Sequence, residues 1–189
     1  MGMTQVRVEQ QFIDSADFKY QCGQSLALPL SSAIDAVLAA LTAGGRVWCL
    51  GSGVTASLAD YAAHLLTHGF ERERPELPAL ALHQGDADHS SALLKRLRAH
   101  ASQEDVLWVI AAPRSERSLI PVIETAQDRG MSVVAFAIGD GGDLMDCLLD
   151  TDVVMSVTHP RLSRSLEVVH MAIHGLCDGV DLQLLGEES

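Results

Sequence analysis

The sequence predicts an α/β protein: a three-layer α/β/α, flavodoxin-like sandwich around a five-stranded parallel sheet, with extra helices at the amino terminus. Three observations lead there. Five apolar runs, at 46–51, 77–83, 105–111, 132–138 and 152–157, are short and apolar on consecutive residues, as strands buried on both faces are. Segments with helical spacing separate them, which is the alternation of a parallel sheet covered on both sides. The first run ends in Gly51-Ser52-Gly53, a loop opening directly into a helix at the end of the sheet where doubly wound folds gather their ligands.

The elements follow in order along the chain. Helical spacing over 10–21 and a longer apolar stretch over 26–43, ended by Gly44-Gly45, read as an amino-terminal helical hairpin within 1–43. The sandwich then occupies 44–189, and residues 1–189 form a single domain. Behind the first strand, 55–67 carries a helical period; 90–101, 118–129 and a short segment near Leu144 supply the next crossovers, and 164–185 is a long last helix. Ser118 as N-cap puts Pro121 at the third helical position, where its missing N–H costs nothing, and this predicts a lengthened loop after the third strand. Helices beyond a complete sandwich often form subunit contacts, so an oligomer is expected.

Composition narrows the partners. Thirteen Lys plus Arg against twenty-five Asp plus Glu leave a formal charge of −12, which repels a polyphosphate backbone. Direct nucleic-acid binding is not expected, and a basic protein partner suits the surface better than an acidic one. Cys22, Cys49, Cys147 and Cys177 show no CxxC spacing, which argues against structural zinc held by cysteine. There is no charged-then-apolar leader and no apolar run approaching about twenty residues, so no membrane partner is expected. A cytoplasmic protein with reduced thiols fits this pattern.

Gly51-Ser52-Gly53-Val54-Thr55-Ala56 fits the dinucleotide pattern GxGxxG/A after a strand. That pattern also wants an acid at the end of the second strand for the ribose hydroxyl, and the chain has His83 and Gln84 there. Read with its surroundings, the loop points elsewhere. The run AGGRVWCLGSGVTA, then FERERPELPALAL ending at Leu82, then DRGMSVVAFAIGDGG, then RSLEVVHMAIH ending at His174, resembles the sugar isomerase (SIS) domain proteins over about 43–181. Within them it looks most like the branch holding phosphoheptose isomerase and the DnaA initiator-associating protein. The closing LCDGVD at 176–181 and the non-glycine Val54 are closer to the latter. The resemblance implies a five-stranded parallel sheet, a homotetramer, and a sugar-phosphate site at a subunit boundary.

On that resemblance, Gly51, Ser52, Gly53 and Thr55 would meet a phosphate with hydroxyls and helix-start amides. Arg114, Ser115, Arg117 and Ser118 would join them from the loop after the third strand, the guanidinium fork suiting a phosphate. Where the family has Ser-Thr-Ser-Gly-Asn-Ser, this chain reads Ala111-Ala-Pro-Arg-Ser-Glu-Arg-Ser118, so two hydroxyls are gone and Pro113 supplies no amide donor. An aldose–ketose isomerase moves a proton between adjacent carbons through an enediol, which takes a base and an acid on opposite sides of the sugar. The family's histidine and glutamate on the helix after the glycine loop fall on Tyr61 and Leu65, its aspartate after the second strand on Gln84, and its last-helix glutamine on Leu166. Its remaining histidine is His174, the catalytic residue if the chain is an enzyme.

His64 and His68, like His170 and His174, lie four apart on a helix, a spacing that brings two imidazoles to one face. Some phosphoheptose isomerases bind zinc at places that fall here on Tyr61, Leu65, Leu166 and His174, so zinc would need a rebuilt site. No metal ligand and no cofactor are assigned.

These substitutions predict a non-catalytic SIS-domain protein that binds a sugar phosphate or acts as a scaffold, similar to the initiator-associating protein. Leu184 and Leu185, beside the acidic Glu187-Glu188, would be its docking pair for DnaA or another protein. The alternative is a phosphoheptose isomerase acting on sedoheptulose 7-phosphate. The choice between them rests on Leu65 facing the ligand, with nothing there to accept a carbon-bound hydrogen.

Overall fold

Parallel strands β1 (Val47–Gly51), β2 (Ala79–His83), β3 (Val106–Ala111), β4 (Ser132–Ile138) and β5 (Val153–Val157) form one sheet in the order β2-β1-β3-β4-β5. The computed structural model describes residues 2–83, 90–114 and 116–187. Helices α1 (Met3–Thr42), α2 (Ala56–His68) and α6 (Leu162–Leu185) cover one face of the sheet. The other face carries α3 (Ser90–His100), α4 (Glu116–Asp128) and α5 (Gly142–Cys147). The expected three-layer α/β/α sandwich is the fold.

Each central strand feeds both cores. Val106, Trp108 and Ile110 of β3 point into the α1/α2/α6 layer, while Leu107, Val109 and Ala111 point into the opposite one, and none is more than 2% exposed. This is why the strands read as unbroken apolar runs. The chain leaves β1 for the β2 edge and then crosses back to β3, so strand order reverses between β1 and β3. The loops that follow these two strands therefore lie side by side at the carboxyl end of the sheet.

The amino-terminal segment is one helix of 40 residues, not the expected hairpin. Pro29, inside it, removes only the hydrogen bond to the carbonyl of Ser25, an exposed residue whose carbonyl water can satisfy. Leu26, Ala33, Val37 and Ala40 dock its second half into the core against β5 and α6. Its first half projects, with Met3, Phe12 and Tyr20 at 89, 75 and 73% exposure. By length and apolarity alone α1 would suit a membrane span, with a window of mean hydropathy 1.6, yet its buried stripe belongs to the core of the sandwich.

Helix α4 also departs from expectation. It begins at Glu116, two residues before Ser118, so the loop after β3 is shorter than predicted and Pro121 sits in the second turn. The buried stripe Leu119, Val122, Ile123 and Ala126 holds the helix on the sheet, and the proline forgoes only a bond to the carbonyl of exposed Arg117.

Candidate active site

The loop between β1 and α2 is built by its glycines and one threonine. A Cβ on Gly51 would lie 2.3 Å from the carbonyl oxygen of Thr55, so only glycine lets the chain fold back this tightly. Gly53, at φ +60, opens a single 3-10 turn, Gly53–Thr55, that leads into α2. Thr55 is fully buried: its Oγ1 accepts from the Ser52 N–H at 3.1 Å and donates to the Ile110 carbonyl at 2.7 Å. That hydroxyl ties the loop to β3. Ser52 Oγ lies 3.4 Å from Ser118 Oγ, so a hydroxyl of this loop and one from the first turn of α4 meet at the reversal point, beside the amides that begin α2.

The two arginines expected at the site differ from each other. Arg114 is exposed and, among the described residues, is the non-glycine with positive φ, at 76°. Arg117 pairs with Asp143, both largely in water, where an ion pair contributes little to stability. Ser115 and Gln84 lie outside the described residues.

Beside this loop is a cavity of about 550 Å³ whose walls include Lys19 of α1, Val54 of the loop, Ser57 of α2, and Glu167, His170 and His174 of α6. His174 Nε2 is 2.9 Å from the Tyr61 hydroxyl. The Tyr61 ring lies 4.8 Å from His170, and Phe70 lies 5.0 Å from His174. Burial pushes the His174 pKa below the ordinary histidine value and the nearby His170 pushes it further, with Glu71 opposing. The imidazole is therefore neutral at pH 7, able to accept a proton through one nitrogen and donate through the other.

Leu65 does not face this cavity. It is 7% exposed and belongs to the buried stripe of α2 with Leu58, Ala62 and Leu66, against the sheet and the α1/α6 layer. An aliphatic side chain one turn beyond Tyr61 is drawn to the core. The cavity's carboxylate comes from α6. Glu167, His170 and His174 stand at i, i+3 and i+7, one helical face, and this spacing was readable in the sequence though it went unused. Glu167 Oε2 accepts from Ser15 Oγ at 2.5 Å, and its Oε1 accepts from Arg164. Ser15 is a buried residue of the projecting half of α1, so this carboxylate is oriented from two helices.

A buried ion pair backs the site. Arg74 and Asp181, with side chains 1% and 2% exposed, join at 2.5 Å, and Arg74 also donates to the Leu65 carbonyl at 3.1 Å. Together they anchor the segment that carries Phe70 over His174.

The residues present do not fit zinc at the family place. Of Tyr61, Leu65, Leu166 and His174, two carry donor atoms, and these bond each other. Among the described residues no three His, Cys, Asp or Glu side chains converge as a metal cluster. His64 and His68 stack at 4.2 Å on the exposed side of α2, outside the cavity wall. Leu184 and Leu185, 41% and 38% exposed, sit at the far end of α6, about 15 Å of helix beyond His174.

The SIS domain family matches residues 12–137. A phosphoheptose isomerase of Methylibium petroleiphilum is 40% identical over 197 aligned positions that cover 100% of this chain and 98% of the relative. One from Aromatoleum aromaticum is 35% identical, covering 96% of each chain. Among solved structures, a phosphoheptose isomerase from Francisella tularensis superimposes with a TM-score of 0.83 at 27% identity, covering 95% of this chain and 99% of that one. The phosphoheptose isomerase of Neisseria gonorrhoeae gives 0.79 at 29% identity, covering 95% and 100%. Kinship along the whole chain with isomerases overturns the expectation of a non-catalytic scaffold and favours the alternative. That expectation drew on Leu65, which the fold buries, and overlooked Glu167.

Proposed function

The chain belongs to the SIS domain family, and from that premise we propose that it is a sugar-phosphate isomerase, interconverting sedoheptulose 7-phosphate and the corresponding heptose phosphate. The observation that carries this reading is the Tyr61–His174 hydrogen bond at the edge of a cavity that begins beside the amides of α2. The phosphate sits at the start of α2, held by backbone N–H groups, Ser52 and Ser118, with Arg114 adding charge from the neighbouring loop. The sugar extends from there toward α6. His174 and Tyr61 then carry protons to and from the two oxygens that exchange carbonyl and hydroxyl character, a contribution worth about 10²–10⁴-fold in rate.

The reading includes a homotetramer working in the cytoplasm. Supporting it are the apolar Met3, Phe12 and Tyr20 that α1 leaves in water and that other copies can cover, and four cysteines that are all free thiols. The test is direct. Purified protein incubated with sedoheptulose 7-phosphate is expected to form product, resolved by anion-exchange chromatography, with His174→Asn slower by about 100-fold or more. Conversion no faster than in buffer would refute it.

A further inference from the structure

We infer that Glu167 is the catalytic base of this isomerase, taking the carbon-bound proton that the family's carboxylate on α2 takes elsewhere. The inference rests on the isomerase reading above and assigns it a residue. Three features single out Glu167. It is the carboxylate among the described residues that line the cavity, since position 65 is a core leucine. Its side chain is 35% exposed, open enough to reach a ligand, yet it is oriented by Ser15 of α1 and by Arg164. It shares one face of α6 with His174, seven residues on, which separates the two groups by about 10 Å of helical rise. The Tyr61 hydroxyl, brought in from α2 and bonded to His174, can thereby supply the acid from another side of a sugar lying along α6.

The step balances without a co-reactant. With the ketose bound, a Glu167 oxygen takes a proton from C1, and the C–H electron pair becomes the C1=C2 bond. The π pair of the C2 carbonyl moves to oxygen, which takes a proton from the Tyr61–His174 pair to complete the enediol. In the second half that pair recovers a proton from the C1 hydroxyl, the C1 carbonyl forms, and C2 takes a proton from Glu167, whose 35%-exposed carboxyl exchanges with solvent while the enediol is bound. C1 is oxidised and C2 reduced by the same two electrons.

Glu167 also bridges α1 and α6, so the experiment separates chemistry from scaffolding. Kinetics with sedoheptulose 7-phosphate are measured first on the unsubstituted protein, then on Glu167→Gln, Glu167→Asp and Glu167→Ala, with melting temperatures alongside. Expected are a kcat about 100-fold lower or worse for Glu167→Gln with KM changed by no more than about threefold, and partial, saturable recovery of folded Glu167→Ala by added formate. If the Gln and Ala variants fail to fold, Glu167→Asp decides, because it keeps the charge and withdraws it by one methylene: a kcat at least about tenfold lower supports the inference. Turnover that stays within about threefold of the parent in folded Glu167→Gln, or in Glu167→Asp where only that variant folds, overturns it while the isomerase reading stands. No turnover in the unsubstituted protein overturns both.

Discussion

The hydroxyl of Tyr61 lies 2.9 Å from Nε2 of His174, so a residue of α2 and a residue of α6 share a proton beside the cavity. Where the family has an imidazole at position 61, this chain has a phenol, and the phenol has kept a partner. The pair links the middle of α2 to the helix that carries Glu167.

Tyr61→Phe keeps the ring that stacks near His170 and removes only the oxygen. We expect kcat for the ketose phosphate to fall by about 10- to 100-fold, while stability falls by only about 0.5–1.5 kcal/mol, the ordinary net value of one hydrogen bond. Steady-state kinetics and a urea titration on the same preparation check both. An unchanged kcat would reduce Tyr61 to a spacer.

The pH dependence follows from His174. Its pKa is held below 6.5, by burial first and by His170 second, so the neutral form persists to lower pH than for a free histidine. The acidic limb of kcat/KM should therefore have its midpoint below pH 6.5. His170→Gln removes one of the two depressing influences and should move that midpoint upward; Glu71→Gln removes the opposing one and should move it down. The stability contribution has the matching sign. Because the folded pKa is depressed, the unfolded chain binds the extra proton first, so this contribution is complete above pH 6.5 and is lost as pH falls through the folded value. A midpoint that ignores both substitutions would remove His174 from the rate-determining ionisation.

Arg74 and Asp181 are almost wholly out of water, so breaking the pair strands a buried charge. Arg74→Met should lower unfolding free energy by roughly 3–5 kcal/mol, and Arg74→Met with Asp181→Leu should recover much of it, because the double change leaves no unpaired carboxylate. Urea denaturation of the two variants reads this out. A double variant no better than the single one would mean that the Arg74 bond to the Leu65 carbonyl, not the ion pair, holds the segment.

Much of this was legible in the sequence. The five strands were found because double-sided burial leaves no polar residue inside β3 or β4 apart from Ser132 at its edge. The glycine loop was found because Gly51 admits no side chain. What escaped depended on tertiary contact. Leu65 and Tyr61 are four apart and read as one face, yet the core claims Leu65 while Tyr61 reaches His174. The hairpin failed because the helix runs on through 22–25, where Gly23 costs it only about 1 kcal/mol, and through Pro29, whose lost hydrogen bond is solvated. Glu167 lies outside the positions that the family resemblance singles out, although its spacing to His170 and His174 is legible in the sequence.

The most direct measurement is deuterium incorporation. With sedoheptulose 7-phosphate in heavy water, NMR should show solvent deuterium entering the carbon next to the carbonyl in both product and recovered substrate, at a rate that collapses in His174→Asn. An enediol that exchanges its proton on the enzyme requires this. Conversion or binding of the sugar phosphate with no deuterium on carbon, at any pH between about 6 and 9, would contradict proton-transfer isomerisation in this cavity.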